Sequence, residues 1–169
     1  MRPARLKQIR KLVQRLTKNG FRPPYNILAD HYFLSSFNST QMSPKVLEHI
    51  LNGPIKLYTT HCEYKKYKEA VKDRKLIGCV DVKKCTHKDF RTLECLAETI
   101  QPNNPNHYFV AVSPKYRHLK EDQNLPLIFL RAGVLCVEIG QKATEDLRQK
   151  ELAPGLSDQE KAKLEALFQ

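Results

Sequence analysis

The chain has 169 residues, 41% hydrophobic and 28% charged, which suffices for one domain with its own core and excludes a disordered chain. No apolar run approaches the ~18 residues that a membrane span needs, and the basic N-terminus lacks the apolar stretch of a secretory leader. Twenty-nine Lys and Arg against 18 Asp and Glu leave a formal charge of +11 and a pI near 9.5, which points to a polyanionic partner, most often nucleic acid.

Residues 1–22 carry eight basic side chains (Arg2, Arg5, Lys7, Arg10, Lys11, Arg15, Lys18, Arg22) and no acidic one. Leu6, Ile9, Val13 and Leu16 recur at helical spacing, so an amphipathic helix is expected, apolar on one face and cationic elsewhere. Asn19-Gly20 stops it, and Arg22-Pro23-Pro24 forms an extended hinge. Such a helix docks on its own domain, tracks phosphates or lies on a membrane surface; with no lipidation signal, a membrane partner is not expected.

A domain over residues 23–140 follows. Short apolar runs at 25–29, 55–60, 107–112, 125–130 and 134–139 read as strands. Helices are expected at 43–51, 61–77 and 94–101, with a weaker one near 115–121. Strands separated by helices predict an α/β domain with a central, largely parallel sheet. Functional groups gather at the C-terminal ends of such strands, which puts Asp30, Thr60 and Ser113 on one edge. Residues 141–169 form a near-neutral helix or tail with five basic and six acidic residues. Its last six, 164–169, resemble a protease site used to remove purification tags. They are read as a cloning scar, with the natural chain expected to continue beyond it.

Three of the five cysteines crowd between residues 79 and 95, spaced C-x5-C-x-H-x7-C. An odd count without a leader argues for reduced thiols. Cys79, Cys85, His87 and Cys95 supply the three thiolates and one imidazole of a closed tetrahedral zinc site, and the motif spans 78–95. The spacing is not the paired CxxC of common fingers, and ordinary cysteines in a Lys-rich loop fit it equally. Cys62 and Cys136, in apolar contexts, read as small core residues.

Residues 65–91 hold ten basic and four acidic side chains, with Tyr64, Tyr67 and Phe90 interleaved. A charge run is usually a solvated face, but two basic regions with aromatics between them favour RNA, whose single-stranded bases stack on aromatic rings. The candidate RNA contacts are Arg2, Arg5, Arg10, Lys11, Lys65, Lys66, Lys83, Lys84, Lys88 and Arg91.

Five blocks occur in the order seen in one family. They are Arg22-Pro23-Pro24-Tyr25-Asn26-Ile27-Leu28-Ala29-Asp30, Tyr58-Thr59-Thr60-His61-Cys62, Cys85-Thr86-His87-Lys88 with Glu94-Cys95-Leu96, Asn104-Pro105-Asn106-His107-Tyr108-Phe109-Val110-Ala111, and Leu125-Pro126-Leu127-Ile128-Phe129-Leu130. Over about residues 1–140 the chain resembles the PIN-domain small-subunit processome proteins of the Utp-twenty-three and Fcf-one family, with the fourth block favouring the Utp-twenty-three branch. The resemblance implies a PIN-like fold, one structural zinc ion and a nucleolar role in early pre-rRNA processing. It also implies contacts to pre-rRNA, an H/ACA small nucleolar RNA and other processome proteins.

Active PIN nucleases hold Mg²⁺ or Mn²⁺ with several carboxylates at this sheet edge. By position, the resemblance carries one carboxylate to Asp30 and another to Glu94, while the helix carboxylate falls on Lys66 and a further aspartate on Pro114. With two of four acids replaced, the expectation is no enzyme, Asp30 and Glu94 being vestigial and Asp30 serving as a helix N-cap. Two other classes stay open: a metal-dependent endoribonuclease of the Fcf-one type, and a protein-interaction scaffold in a ribonucleoprotein particle.

Overall fold

In a computed structural model, the described residues are 3–72, 76–90, 95–113, 116, 119, 125–140 and 144–145. Six strands form one sheet: β1 (Tyr25–Ala29), β2 (Ile55–Thr60), β3 (Val80–Lys83), β4 (Phe109–Ala111), β5 (Leu127–Arg131) and β6 (Val134–Glu138). The order is β3-β2-β1-β4-β5-β6. All neighbours pair in parallel except β5 and β6. That last pair is a hairpin turning at Ala132-Gly133, both at positive φ (48° and 72°), the combination that a two-residue turn between right-twisted strands requires.

The central strands are buried on both faces, so their side chains divide between two apolar layers. Ile27, Ala29, Phe109 and Ala111 join α1 (Pro3–Lys18), α2 (His31–Ser39), α3 (Pro44–Leu51) and α4 (His61–Ala70) in the larger cluster. Leu28, Tyr108, Val110 and Leu127 face the other way, against Leu96 and Ile100 of α5 (Cys95–Ile100). The expected basic helix is α1. Its Ile9, Val13 and Leu16 are buried in the larger cluster and it packs on α3, so it is part of the domain rather than a free arm.

Strands 25–29 and 55–60 fall as expected, and the later ones shift by one or two residues. Two elements escape the sequence pattern. Helix α2 is built from weak helix formers, Ser35, Ser36, Asn38 and Ser39, but Asp30 caps it and Phe33, Leu34 and Phe37 bury its inner face. Strand β3 is a short, polar edge strand inside the expected metal loop, held by pairing with β2. Helix α4 ends at Ala70 instead of 77 because Val71 turns extended. Of the helix expected at 115–121, and of the C-terminal tail, nearly all lies outside the described residues. No described helix is long and apolar enough to cross a membrane.

Because α1 closes the larger cluster, Leu16→Ala is expected to cost about 2–4 kcal/mol in urea unfolding. The exposed Lys11→Ala, on the same helix, should stay within about 0.5 kcal/mol.

Candidate functional site: an acidic edge and a thiol cluster

Parallel pairing brings the C-terminal ends of β1, β2 and β4 to one edge, and Asp30, Thr60 and Ser113 meet there as the sequence implies. Asp30 is 1% exposed. Its Oδ1 accepts the Phe33 amide at 2.6 Å, capping α2, and its Oδ2 accepts the Ser113 amide at 2.9 Å, tying the ends of β1 and β4 together. Thr60 caps α4 by accepting the Glu63 amide at 3.3 Å. In the Thr-x-x-Glu pattern the glutamate usually reaches back to its own helix start. Here it turns to the neighbouring helix. Glu63 Oε2 accepts the His31 amide at 3.0 Å and lies 2.5 Å from His31 Nδ1, which against an ionised carboxylate carries the proton. Glu63 Oε1 accepts the Lys66 ammonium at 2.7 Å, one turn along α4.

Both carboxylates thus serve the N-terminus of α2, where the helix dipole favours negative charge. Their titration differs. Burial pushes Asp30 up to about 6, against its two backbone hydrogen bonds and with help from the charge of Glu63. Burial also works against ionising Glu63, but the hydrogen bonds from His31 and Lys66 outweigh it and bring the carboxyl down to about 2. Tyr116 is raised to about 12 by burial and by the nearby Glu63, Asp30 and Tyr32. Glu63, 1% exposed, is the second acid of the edge. Glu94 and Pro114, the other two positions of the expected acidic set, lie outside the described residues.

Thiols gather beside this edge. Cys62, Cys85, His87 and Cys95 bring their ligand atoms within 4.8 Å of one another. Cys79 is not among them, which corrects the expected ligand set. It ends the 3₁₀ turn Ile77–Cys79 that leads into β3, is exposed, and sits at the opposite end of that strand from Cys85. The extended strand Val80–Lys83, ~13 Å long, lies between the two. Cys62 takes its place. Thr60 pairs with Lys83 in the β2–β3 register, so the residues two further on, Cys62 and Cys85, emerge side by side with sulfurs 3.4 Å apart. Cys136 is buried in strand β6, as expected of a core residue.

The donor set fits a metal ion. Tetrahedral zinc with thiolate ligands spaces its sulfurs about 3.8 Å apart, close to the separations found. His87 Nε2 pairs with Glu98 Oε2 at 2.7 Å, while its Nδ1 is buried with no hydrogen-bond partner. A ligating imidazole has that arrangement: one nitrogen held by a carboxylate, the other free for the metal. Burial opposes ionisation of Cys85, but His87 and the neighbouring thiols bring it to about 7, whereas burial pushes Cys62 up to about 12. These four residues can hold a metal ion.

The cationic candidates divide. Lys11, Lys65, Lys84 and Lys88 are exposed, Lys65 lying 5.7 Å above the Phe90 ring, and Arg5 is exposed at the groove between α1 and β6. Three others are engaged internally. Lys66 holds Glu63, and Lys83 bonds to the Tyr108 hydroxyl with its ammonium 4.8 Å from the Tyr58 ring. Arg10 donates from Nη2 to the His49 carbonyl at 3.3 Å, docking on α3. Arg2 and Arg91 lie outside the described residues.

A sequence model named Fcf1 matches residues 49–139, more than half of the chain. The chain belongs to the Fcf1 family. The rRNA-processing protein utp23 of Schizosaccharomyces pombe is 29% identical over 175 residues, spanning 95% of this chain and 67% of that protein. Among solved structures, the PIN domain endonuclease Utp24 superposes with a TM-score of 0.58 over 70% of this chain and 94% of that one. At 15% identity this likeness concerns the fold, which is PIN-like. On that shared fold, this Fcf1-family chain carries an ammonium at its acidic edge.

The opposite titration of the two acids predicts a two-limbed stability profile. Glu63 titrates below its usual 4.5, so its contribution is complete above that pH and disappears as pH falls toward about 2. Asp30 titrates above its usual 3.8, so folding is favoured below that pH and loses this advantage as pH rises through about 6. Urea unfolding across pH 2.5–7.5 should show both limbs, each of about 3 kcal/mol. Glu63→Gln should remove the acid limb and cost about 2–4 kcal/mol at pH 7, because Lys66 and the His31 amide lose their ionised acceptor. Adding Lys66→Met should return part of that loss.

Proposed function

We propose that this protein is a non-catalytic, RNA-binding factor in rRNA processing, acting in the small-subunit processome of the nucleolus. Its partners on this reading are pre-rRNA, small nucleolar RNA and other processome proteins. The name of the Schizosaccharomyces pombe relative and the family match support the rRNA-processing part. The observation that carries the non-catalytic part is the 2.7 Å contact between Lys66 Nζ and Glu63 Oε1. An ammonium already neutralises the acid that a divalent cation would need, and every oxygen of Asp30 and Glu63 accepts a hydrogen bond from the protein. Neither described carboxylate of this edge thus has an oxygen without a hydrogen bond to offer the metal that makes a nucleophilic hydroxide.

Zinc is the proposed metal of the thiol cluster, in a structural role, since three cysteines and one histidine leave no open coordination position. Elemental analysis of protein purified without chelators should find about one zinc ion per chain. Cys62→Ser and Cys85→Ser should lose it, and Cys79→Ser should retain it. Retention in Cys62→Ser with loss in Cys79→Ser would restore the ligand set that spacing alone suggests.

RNA binding rests on the exposed cations around the cluster. Log affinity for single-stranded RNA should fall steeply with log salt, each neutralised phosphate contributing about −0.7 to the slope. Reversing Lys65, Lys84 and Lys88 to glutamate should flatten that slope by about two units if all three touch phosphates. Incubation with Mn²⁺ should leave the RNA intact; cleavage that Asp30→Asn abolishes would establish the endonuclease reading instead. A slope near zero would favour a protein-binding scaffold.

A further inference from the structure

Strand order reverses between β1 and β4, since the chain builds outward through β2 and β3 before crossing back. Ligands of open parallel sheets bind at that switch point, outside the strand ends. A shallow cleft of about 100 Å³, room for one planar ring, lies there, lined by Tyr32, Phe33, Ser36, Val112, Ser113 and Leu130. Phe33 and Val112 form a buried apolar floor, and the Ser36 and Ser113 hydroxyls stand with Tyr32 at the rim. Tyr32 is 43% exposed, one of three large apolar or aromatic side chains so open among the described residues. Its ring packs on His31, with centroids 4.0 Å apart and planes inclined by 39°. His31 is in turn fixed by Glu63. The exposed ring is therefore held by a buried network rather than left free.

We infer that this switch-point cleft is a nucleobase site for single-stranded RNA, with Tyr32 as its stacking platform. The inference rests on the RNA-binding reading above and adds to it a place and a contact that is not electrostatic. A flat apolar floor, a restrained aromatic wall and hydroxyls at the rim suit a planar ring with polar edges, the combination single-stranded bases offer. A chain of +11 net charge supplies the attraction for the attached backbone. Lys66 offsets the charge of Glu63, which would otherwise repel phosphate from this edge. An apolar protein side chain would gain nothing from the hydroxyls and leave the positive charge unused, so a base is the better occupant.

The test uses the full chain and short RNAs carrying 5-iodouridine, read by anisotropy and by photocrosslink mapping. Tyr32→Ala should weaken binding about tenfold without changing the salt slope, because stacking releases no counterions. Tyr32→Phe should bind within twofold of the unmodified protein. Ser36→Phe, on the exposed side of α2, should fill the cleft and mimic Tyr32→Ala while folding normally. Irradiation should attach iodouridine to Tyr32. Steep salt dependence with a neutral Tyr32→Ala and no crosslink at Tyr32 would overturn the site while leaving RNA binding elsewhere intact. Absence of any RNA affinity would remove both readings together. Undiminished RNA affinity with loss of a processome protein from Tyr32→Ala pull-downs would assign the cleft to a protein instead.

Discussion

Parallel strand pairing is the constraint from which the rest of this molecule follows. Each of β1, β2 and β4 ends at the same edge, and α2 and α4 begin there directly after β1 and β2. Helix N-termini present unpaired amides and the positive end of their dipoles, so that edge must be lined with acceptors. Asp30, Thr60 and Glu63 are those acceptors. The same edge in a nuclease of this fold would be lined with acids for a metal. Two carboxylates at a PIN-like edge are therefore weak evidence for catalysis on their own, because the fold needs acceptors there in any case.

Charge decides between those uses. A divalent cation needs carboxylate oxygens that can turn toward it and a net negative site around it. Glu63 instead faces an ammonium at 2.7 Å and an imidazole at 2.5 Å, both nearly buried and so screened little by salt. The Lys66 ammonium brings one positive charge where a divalent cation would bring two, and it is no Lewis acid.

Much of this was legible in the residues and their order. The run at 25–29 is apolar but for Asn26 and almost wholly buried, and the run at 55–60 buries Leu57, Thr59 and Thr60, so pattern and structure agree on both strands. The metal ligands were legible only in part. Cys85, His87 and Cys95 sit close in sequence, whereas Cys62 lies 23 residues before Cys85 and joins them through the β2–β3 register. That register could be inferred only once β3 was recognised as a strand, and Val80-Asp81-Val82-Lys83 is too short and polar to announce itself. The same gap made Cys79, nearer in sequence, look like the fourth ligand. Helix α2 was hidden for a different reason: its stability comes from a cap and a buried face, which outweigh the poor propensities of its serines and asparagine. The basic patch was visible as composition, but not which lysines were engaged: Lys66 and Lys83 are held by partners three and 25 residues away.

The first turn of α4 joins the two clusters. Thr60 caps it, Cys62 points to the thiols, and Glu63, the next residue, points to α2. Thiolates so close together repel one another. A cation bound there would offset that repulsion and would hold the first turn of α4, the loop after β3 and the start of α5 at one point. That first turn also carries the Glu63 brace that orients His31 beside Tyr32. Through Cys62 the thiol cluster and the acidic edge share one helix turn, the one that Thr60 caps.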